Sequence, residues 1–244
     1  MELKENERID DLEYEGLKII QNSKWFCFGI DSVLLSDFAK NIKKDAKVLD
    51  IGTGTGIISI LLSKKSNLKK IYAIEIQNEV ADMAKRSVKL NNLEEKVEII
   101  NDNIKNINKY IENNTLDVIV TNPPYKKIST GKVSIEKNKL ISRHEIECDL
   151  DDIIKISYKL LKQKGEFYMV HRTDRLSEII YKMKQNKLEP KQIRFVYSSV
   201  NKEPKLVLIR AVKDGNELTK VESPLIVYNE DGKYSEEILK IYNK

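Results

Sequence analysis

The stretch "AKVLDIGTGTGIISILLSKK" (residues 46–65) decides the fold of this chain. Residues 46–51 have the apolar, β-branched composition of a buried strand, "GTGTG" predicts a turn, and apolar residues then recur at helical spacing. A strand that passes through a glycine turn into a helix begins a βαβ unit, in which the helix leads back to a parallel strand. The stretch therefore predicts an α/β protein.

Further strands follow this unit at the spacing that crossover helices require. They are "KIYAIEI" (70–76), "KVEIIN" (96–101), "LDVIVTN" (116–122) and "EFYMVH" (166–171), with helices predicted over 78–92, opened by Asn78 as N-cap, and over 150–165. This alternation predicts a Rossmann-like, doubly wound, mostly parallel sheet of seven strands. The consecutive runs at 191–199 and 204–212 predict an antiparallel C-terminal hairpin at one edge.

The length of 244 residues and the hydrophobic content of 41% suit a single domain over 1–244. We divide it into an N-terminal extension (1–45), a core (46–213) and a C-terminal tail (214–244). No stretch is apolar enough for a membrane span and the N-terminus is highly charged, so we expect a cytoplasmic protein. The two cysteines, Cys27 and Cys148, form no CxxC motif, and neither a disulfide framework nor a metal site is expected.

The residues that follow the first four core strands are those a ligand would meet. In a doubly wound sheet, ligands bind beyond the carboxyl ends of the strands, where Gly52–Gly56, Glu75, Asp102 and Asn122 are expected. Glycines allow close approach of a ligand to the backbone, Glu75 is suited to accept from ribose hydroxyls, and Asp102 from the amine of an adenine. Because the third glycine comes one residue too early for GxGxxG, the pattern disfavours a nicotinamide or flavin site.

The segment "TNPPY" (121–125) ends the fourth strand, because proline lacks the N–H that a ladder needs. The side-chain oxygen of Asn122 and the main-chain carbonyl of Pro123 can accept the two protons of an aromatic amine, which localises its lone pair. The ring of Tyr125 offers a face on which an extruded base can stack. The family resemblance given next implies that these residues position a nitrogen acceptor.

Together, "DIGTGTG", Glu75 and "TNPPY" resemble the motifs of class I S-adenosylmethionine-dependent methyltransferases, in the version that methylates exocyclic or amide nitrogens. The flanking segments "FGIDSVLLSDFA" (28–39), "KEPKLVLIRA" (202–211) and "YSEEI" (234–238) resemble the bacterial tRNA(Val) adenine-N6 methyltransferases. The resemblance implies a single methyltransferase domain, S-adenosylmethionine as cofactor, and Asn122, Pro123 and Tyr125 as catalytic residues. The cofactor-binding residues so implied are Gly29, Asp31, Asp50, Gly52, Thr53, Gly54, Gly56, Glu75, Ile76, Asp102, Asn103 and Asn122. Asp31 is also predicted as the N-cap of its helix.

Positive charge is concentrated after the predicted site. Residues 124–143 hold six basic residues and one acid, and residues 159–213 hold fourteen against five. Such runs favour a polyanion partner, which we expect to be RNA, above all tRNA. The predicted RNA-binding residues are Lys126, Lys127, Lys132, Arg143, Lys202 and Lys205, on a continuous surface with Lys182, Lys184, Lys191 and Arg194. His144, in the loop after "TNPPY", is a candidate substrate contact, and we expect a monomer or weak dimer that binds neither membrane nor metal.

Three alternatives remain open at this point. A glutamine-N5 methyltransferase of release factors also uses NPPY, but such enzymes carry a sizeable helical domain where only about 45 residues precede the glycine loop here. The second alternative is a guanine-N2 methyltransferase of ribosomal RNA, which the sequence distinguishes poorly from an adenine-N6 methyltransferase. A non-catalytic RNA-binding module is disfavoured by the intact motifs.

Overall fold

The structure is a computed structural model that describes residues 2–24, 29–125 and 149–244. Its strands are β1 (Glu7–Asp11), β2 (Lys18–Asn22), β3 (Lys47–Ile51), β4 (Lys70–Glu75), β5 (Val97–Asn101), β6 (Leu116–Thr121), β7 (Leu161–Arg172), β8 (Leu188–Tyr197), β9 (Leu206–Lys213), β10 (Lys220–Val221) and β11 (Leu225–Ile226). Its α-helices are α1 (Ile30–Phe38), α2 (Ile57–Lys65), α3 (Asn78–Leu90), α4 (Leu150–Leu160), α5 (Leu176–Gln185) and α6 (Glu236–Ile241).

The main sheet has the order β10-β8-β9-β7-β6-β3-β4-β5, with β11 also paired to β8. Neighbouring strands from β5 to β7 pair in parallel, whereas β9 pairs antiparallel with both β7 and β8. The predicted Rossmann-like sheet with an antiparallel hairpin edge is therefore confirmed. The chain leaves β3 toward β4 on one side and returns to β6 on the other, so the topological switch point lies beside β3.

The sheet has nine strands in the described part of the chain rather than the predicted seven. The two additional strands, β10 and β11, belong to the segment predicted as a tail. This segment returns along the outer edge of β8, where the N–H of Glu222 donates to Ile193 O and the N–H of Val227 donates to Tyr197 O, both at 2.9 Å. The tail thus covers a row of backbone groups that would otherwise form an open sheet edge.

The helix predicted over 150–165 is wrong at its C-terminal end. The helix α4 stops at Leu160, and Leu161 already pairs with Leu116 of β6. The carbonyl oxygen of Leu160 accepts from Thr115 N at 3.1 Å instead of from a later helical residue. Pairing with β6 therefore replaces the last helical turn, which the amphipathic pattern alone does not show.

The N-cap residues of α1 and α3 are not the ones that the sequence predicted. Asn78 is the first residue of α3, and the cap position belongs to Gln77, whose backbone is extended and whose N–H donates to Glu75 Oε1 at 2.9 Å. In the same way Gly29 precedes α1, and Asp31 lies within its first turn. Neither side chain therefore stands at the N-cap position. Within the first turn of α1, Asp31 Oδ1 accepts from Ser32 N at 2.9 Å, and Asp31 Oδ2 accepts from the Tyr125 hydroxyl.

Alternate side chains of the central strand enter opposite apolar layers. Val48 packs in the layer formed with α1 and α2, and Leu49 in the layer formed with α4 and α5. Burial on both faces makes β3 rigid, which fixes the loop that follows it. The separate hairpin of β1 and β2 lies against α3, where Ile20 N donates to Ser87 Oγ at 2.9 Å. None of the helices in the described ranges has the length and apolarity to cross a bilayer.

Candidate active site

The carboxyl ends of β3, β4, β5 and β6 meet at one edge of the sheet, and the residues after them form a groove. Its lining combines apolar side chains and prolines with one carboxylate. The lining residues are Ile51, Gly52, Ile74, Ile76, Asp102, Asn103, Ile104, Thr121, Pro123, Pro124 and Ile153. The structure therefore brings together the strand ends that the sequence predicted as a ligand site.

The loop after β3 turns through backbone conformations that favour glycine. Gly52 and Gly54 have φ values of +69° and +58°. Apart from each glycine and its two chain neighbours, no heavy atom of the described residues lies within 4 Å of the position that a Cβ would take. The N–H groups of Gly52 and Thr53 both donate to Ile74 O, at 3.0 and 3.1 Å, which ties the loop to β4. Gly56, with φ of +93°, is the N-cap that precedes α2. The loop is thus held by backbone bonds and has open space over its first two glycines.

Asp50 supports this loop from beneath. Its side chain is completely buried and accepts from Thr53 Oγ1 at 2.6 Å and from Ser59 Oγ at 2.8 Å. Burial raises the pKa of this carboxyl to about 6. Thr53 is likewise buried, so the structure places these two predicted cofactor residues under the loop rather than on its surface.

Glu75 stands at the end of β4 and is 2% exposed. One carboxylate oxygen accepts from Gly54 N at 3.1 Å, and the other accepts from Gln77 N at 2.9 Å. These two bonds fix the carboxylate between the glycine loop and the start of α3. The predicted ribose acceptor is thus held rigidly next to the loop.

Asp102 lies at the far end of the groove, directly after β5. Its Oδ1 accepts from Asn103 N and from Asn106 Nδ2, both at 2.7 Å, and its Oδ2 accepts from Tyr110 at 3.0 Å. The hydrogen bond from Asn106, with those from Asn103 and Tyr110, lowers the pKa of Asp102 to about 2. An ionised acceptor at the end of an apolar slot suits a flat heterocycle that carries an amine.

The segment after β6 contacts the first turn of α1. The Tyr125 hydroxyl lies 2.5 Å from Asp31 Oδ2 and 2.7 Å from Asn122 Oδ1, and Asn122 Nδ2 lies 3.0 Å from Ser32 Oγ. Burial and the neighbouring Asp31 raise the pKa of the Tyr125 phenol, which therefore stays protonated. The structure thus joins predicted residues that are about ninety positions apart in the chain, with Gly29 immediately before the same helix.

His171 was missed by the sequence analysis, which considered His144 instead. It lies near the carboxyl end of β7, 1% exposed, with its ring centroid 5.2 Å from that of Tyr125. Its Nδ1 accepts from Arg172 N at 2.8 Å, and burial, assisted by the charge of Arg175, lowers the pKa of the imidazole to about 4. The sequence did contain a signal for this residue: His171 is the last residue of the predicted strand "EFYMVH". That strand follows "TNPPY" in the predicted order, so its end was expected near the same site.

The predicted basic surface is reduced by ion pairing. Within the described residues, Lys182 pairs with Asp151, Lys184 with Glu189 and Arg194 with Glu237, while the Lys191 ammonium donates to backbone carbonyls of residues 216–218. The charges of these four residues are therefore partly neutralised by local partners, and the continuous RNA-binding surface through them stays a prediction.

Lys202 and Lys205 remain exposed in the turn between β8 and β9. That turn lies at the carboxyl ends of the parallel strands, as the groove does. Arg172, the last residue of β7, pairs with Leu206, the first residue of β9 after the turn. Lys126, Lys127, Lys132, Arg143 and His144 lie outside the described residues, as do Cys27 and Cys148.

Comparison with known proteins places this geometry in a family. The family model of the methyltransferase small domain matches residues 29–192. A protein of Phocaeicola vulgatus named tRNA1(Val) (adenine(37)-N6)-methyltransferase is 28% identical over 74% of this chain and 74% of its own length. A protein of the same name from Porphyromonas gingivalis is 26% identical over 95% of this chain and 93% of its own length.

Solved structures share the fold at lower identity. A predicted O-methyltransferase from Agrobacterium tumefaciens superimposes with a TM-score of 0.70 at 16% identity, covering 87% of this chain and 95% of that one. The structure of M. jannaschii TYW2 in complex with AdoMet gives a TM-score of 0.56 at 16% identity, covering 87% of both chains.

Proposed function

The chain belongs to the methyltransferase small domain family, and we propose that it transfers the methyl group of S-adenosylmethionine to N6 of an adenine in RNA, with the adenine beside the anticodon of tRNA(Val) as its substrate. The observation that carries this proposal is the position of Asn122 and Tyr125 at the end of β6, next to the groove that contains Asp102. Relatives that align over most of the chain and carry that substrate in their names support it.

The groove fits the proposed cofactor. Its apolar walls, with Ile76 and Ile104 among them, suit the two faces of an adenine, and the ionised Asp102 suits its amine. Glu75 suits the ribose hydroxyls, and the open space above Gly52 and Gly54 suits close approach of the remaining chain. When bound, the cofactor supplies an activated methyl group.

Asn122 and Pro123 would prepare the acceptor nitrogen. The lone pair of an aromatic amine is delocalised into the ring, so the amine is a poor nucleophile. Two acceptors, the Asn122 amide oxygen and the Pro123 carbonyl, bond to its protons and favour a pyramidal nitrogen whose lone pair points at the methyl group. Catalysis then rests on orientation and hydrogen bonding, without a covalent intermediate.

Tyr125 would hold the target base outside the RNA stack. Its ring lies beside the uncharged His171 ring, with 5.2 Å between the ring centroids, and this contact helps to fix the Tyr125 ring. Stacking on an aromatic ring is worth roughly 1 to 3 kcal/mol per base. Lys202 and Lys205, exposed at the same edge, suit phosphate contacts around that base.

The test is to identify the product. The purified protein is incubated with S-adenosylmethionine labelled in its methyl group and, in separate reactions, with total RNA and with total protein from cells that lack the gene. Labelled nucleosides are then separated and identified by mass spectrometry, and the modified position is found by hybrid selection of tRNA(Val).

We expect label in N6-methyladenosine within the anticodon loop of tRNA(Val). Label in N2-methylguanosine or in methylglutamine of a protein would assign the site to another acceptor. Absence of transfer to any RNA, with S-adenosylmethionine bound, would overturn the proposal.

A further inference from the structure

The amide of Asn122 is held at both ends. Its nitrogen end lies 3.0 Å from Ser32 Oγ, and its oxygen end lies 2.7 Å from the Tyr125 hydroxyl. Ser32 is 5% exposed, and its side chain makes no other hydrogen bond to the described residues. Within the described part of the chain, the partner of the Ser32 hydroxyl is the Asn122 amide.

The number of available protons limits how this cluster is arranged. The Tyr125 phenol has one proton, yet two acceptor oxygens lie near it, on Asp31 at 2.5 Å and on Asn122 at 2.7 Å. The carboxylate is the stronger acceptor, so the phenol donates its hydrogen bond to Asp31 rather than to Asn122. Exchanging the oxygen and nitrogen of the amide, which leaves its shape unchanged, then gives both of these contacts a donor and an acceptor: one amide N–H donates to the Tyr125 oxygen, and the Ser32 hydroxyl donates to the amide oxygen.

The proposed reaction requires the opposite orientation. To accept a proton of the substrate amine, the amide oxygen of Asn122 must face the substrate, and its NH₂ group then needs a different acceptor. A serine hydroxyl is both donor and acceptor, so Ser32 can donate to the oxygen in the resting arrangement and accept from the NH₂ group in the reactive one. We infer that Ser32 is a positioning residue that holds the Asn122 amide in its reactive orientation during methyl transfer.

This inference rests on the proposed function of Asn122, and the experiment separates the two. Ser32→Ala, Ser36→Ala and Asn122→Ala are compared by single-turnover methyl transfer to tRNA, with Kd for S-adenosylmethionine from calorimetry and Tm as controls. Ser36 is the matched control, because it is a fully buried serine of the same helix whose hydroxyl donates only to Val33 O, at 2.7 Å.

We expect Ser32→Ala to lower the single-turnover rate constant about tenfold or more, with Kd for S-adenosylmethionine within twofold of the parent value. Ser36→Ala keeps the parent rate, and Ser32→Thr, which restores a hydroxyl, recovers part of the loss. If Asn122→Ala is inactive while Ser32→Ala has the parent rate, the inference is overturned and the proposed function stands. If Asn122→Ala itself keeps the parent rate, the proposed chemistry fails. An equal loss in Ser32→Ala and Ser36→Ala would assign the effect to α1 packing and also overturn the inference.

Discussion

The hydroxyl of Tyr125 lies 2.5 Å from Oδ2 of Asp31, a residue 94 positions earlier in the chain. This bond connects the segment after β6 to the first turn of α1, and it fixes the ring that we propose as the stacking surface. Because the Tyr125 phenol donates its hydrogen bond to Asp31, the orientation of the neighbouring Asn122 amide depends on residues of α1. The predictions below start from this arrangement.

Replacing Tyr125 separates the role of its ring from that of its hydroxyl. Tyr125→Ala removes the stacking surface, and we expect KM for RNA to rise about tenfold or more, since stacking contributes roughly 1 to 3 kcal/mol. Tyr125→Phe keeps the ring and should stay within about threefold of the parent KM. Steady-state kinetics with tRNA measure both, and equal effects of the two changes would show that the hydroxyl matters more than the ring.

Asn122→Ala removes an acceptor that acts mainly in the transition state. The single-turnover rate should fall at least about a hundredfold, whereas Kd for S-adenosylmethionine should change by less than about threefold. Rapid-quench kinetics and calorimetry provide the two values. A variant that loses cofactor affinity in proportion to its rate would instead identify Asn122 as a cofactor ligand.

Glu75→Ala tests the assignment of the cofactor site. Loss of the buried carboxylate removes the predicted ribose acceptor and its bonds to Gly54 and Gln77, so Kd for S-adenosylmethionine should rise about tenfold or more. The matched control is Glu98→Ala on the neighbouring strand β5, where the side chain is 49% exposed. Calorimetric titration that gives the same Kd for parent and Glu75→Ala would refute the assignment.

His171 makes stability depend on pH. Its pKa is about 4 in the folded chain, against an ordinary value of 6.5 when the imidazole is in water, so between these values the unfolded chain binds more protons and acidification favours unfolding. The loss from pH 7 to pH 4 amounts to roughly 3 kcal/mol. Asp50, whose pKa is raised to about 6, acts in the opposite sense, because its folded form retains a proton over the same range.

Comparing the parent with His171→Gln cancels the contribution of Asp50, which both proteins contain. Urea unfolding at several pH values from 7.5 to 4.5 should show that the parent loses more stability on acidification than the variant does. A difference between the two proteins that is constant with pH would mean that His171 does not titrate as its burial requires.

Reversing the charges of Lys202 and Lys205 tests the RNA surface. The double change to Glu should raise Kd for tRNA and flatten its dependence on salt, because fewer counterions are released. The control reverses Lys64 and Lys69, which are also exposed but lie at the opposite edge of the sheet, near the end of α2 and the start of β4. Filter binding at several salt concentrations is the measurement, and identical slopes for both double variants would place the RNA elsewhere.

The sequence by itself determined the order along the chain of the core strands, β3 to β9, and the residues that follow β3, β4, β5 and β6. Those features depend on local chemistry: glycines with positive φ after β3, prolines that end β6, and apolar runs long enough for buried strands. The groove could therefore be predicted, since parallel strands bring their carboxyl ends to one edge whatever their exact register.

Only the tertiary structure decided which side chains act together at that edge. Asp31 and Ser32 meet Tyr125 and Asn122 because α1 packs beside β7, and His171 meets Tyr125 because β7 pairs with β6. In the same way, Leu161 pairs with Leu116 of β6 instead of extending α4. Arg194 of β8 forms an ion pair with Glu237 of α6, which lies in the segment predicted as a tail. Such contacts join residues tens of positions apart, and their free energy arises from packing and hydrogen bonds that no local pattern encodes.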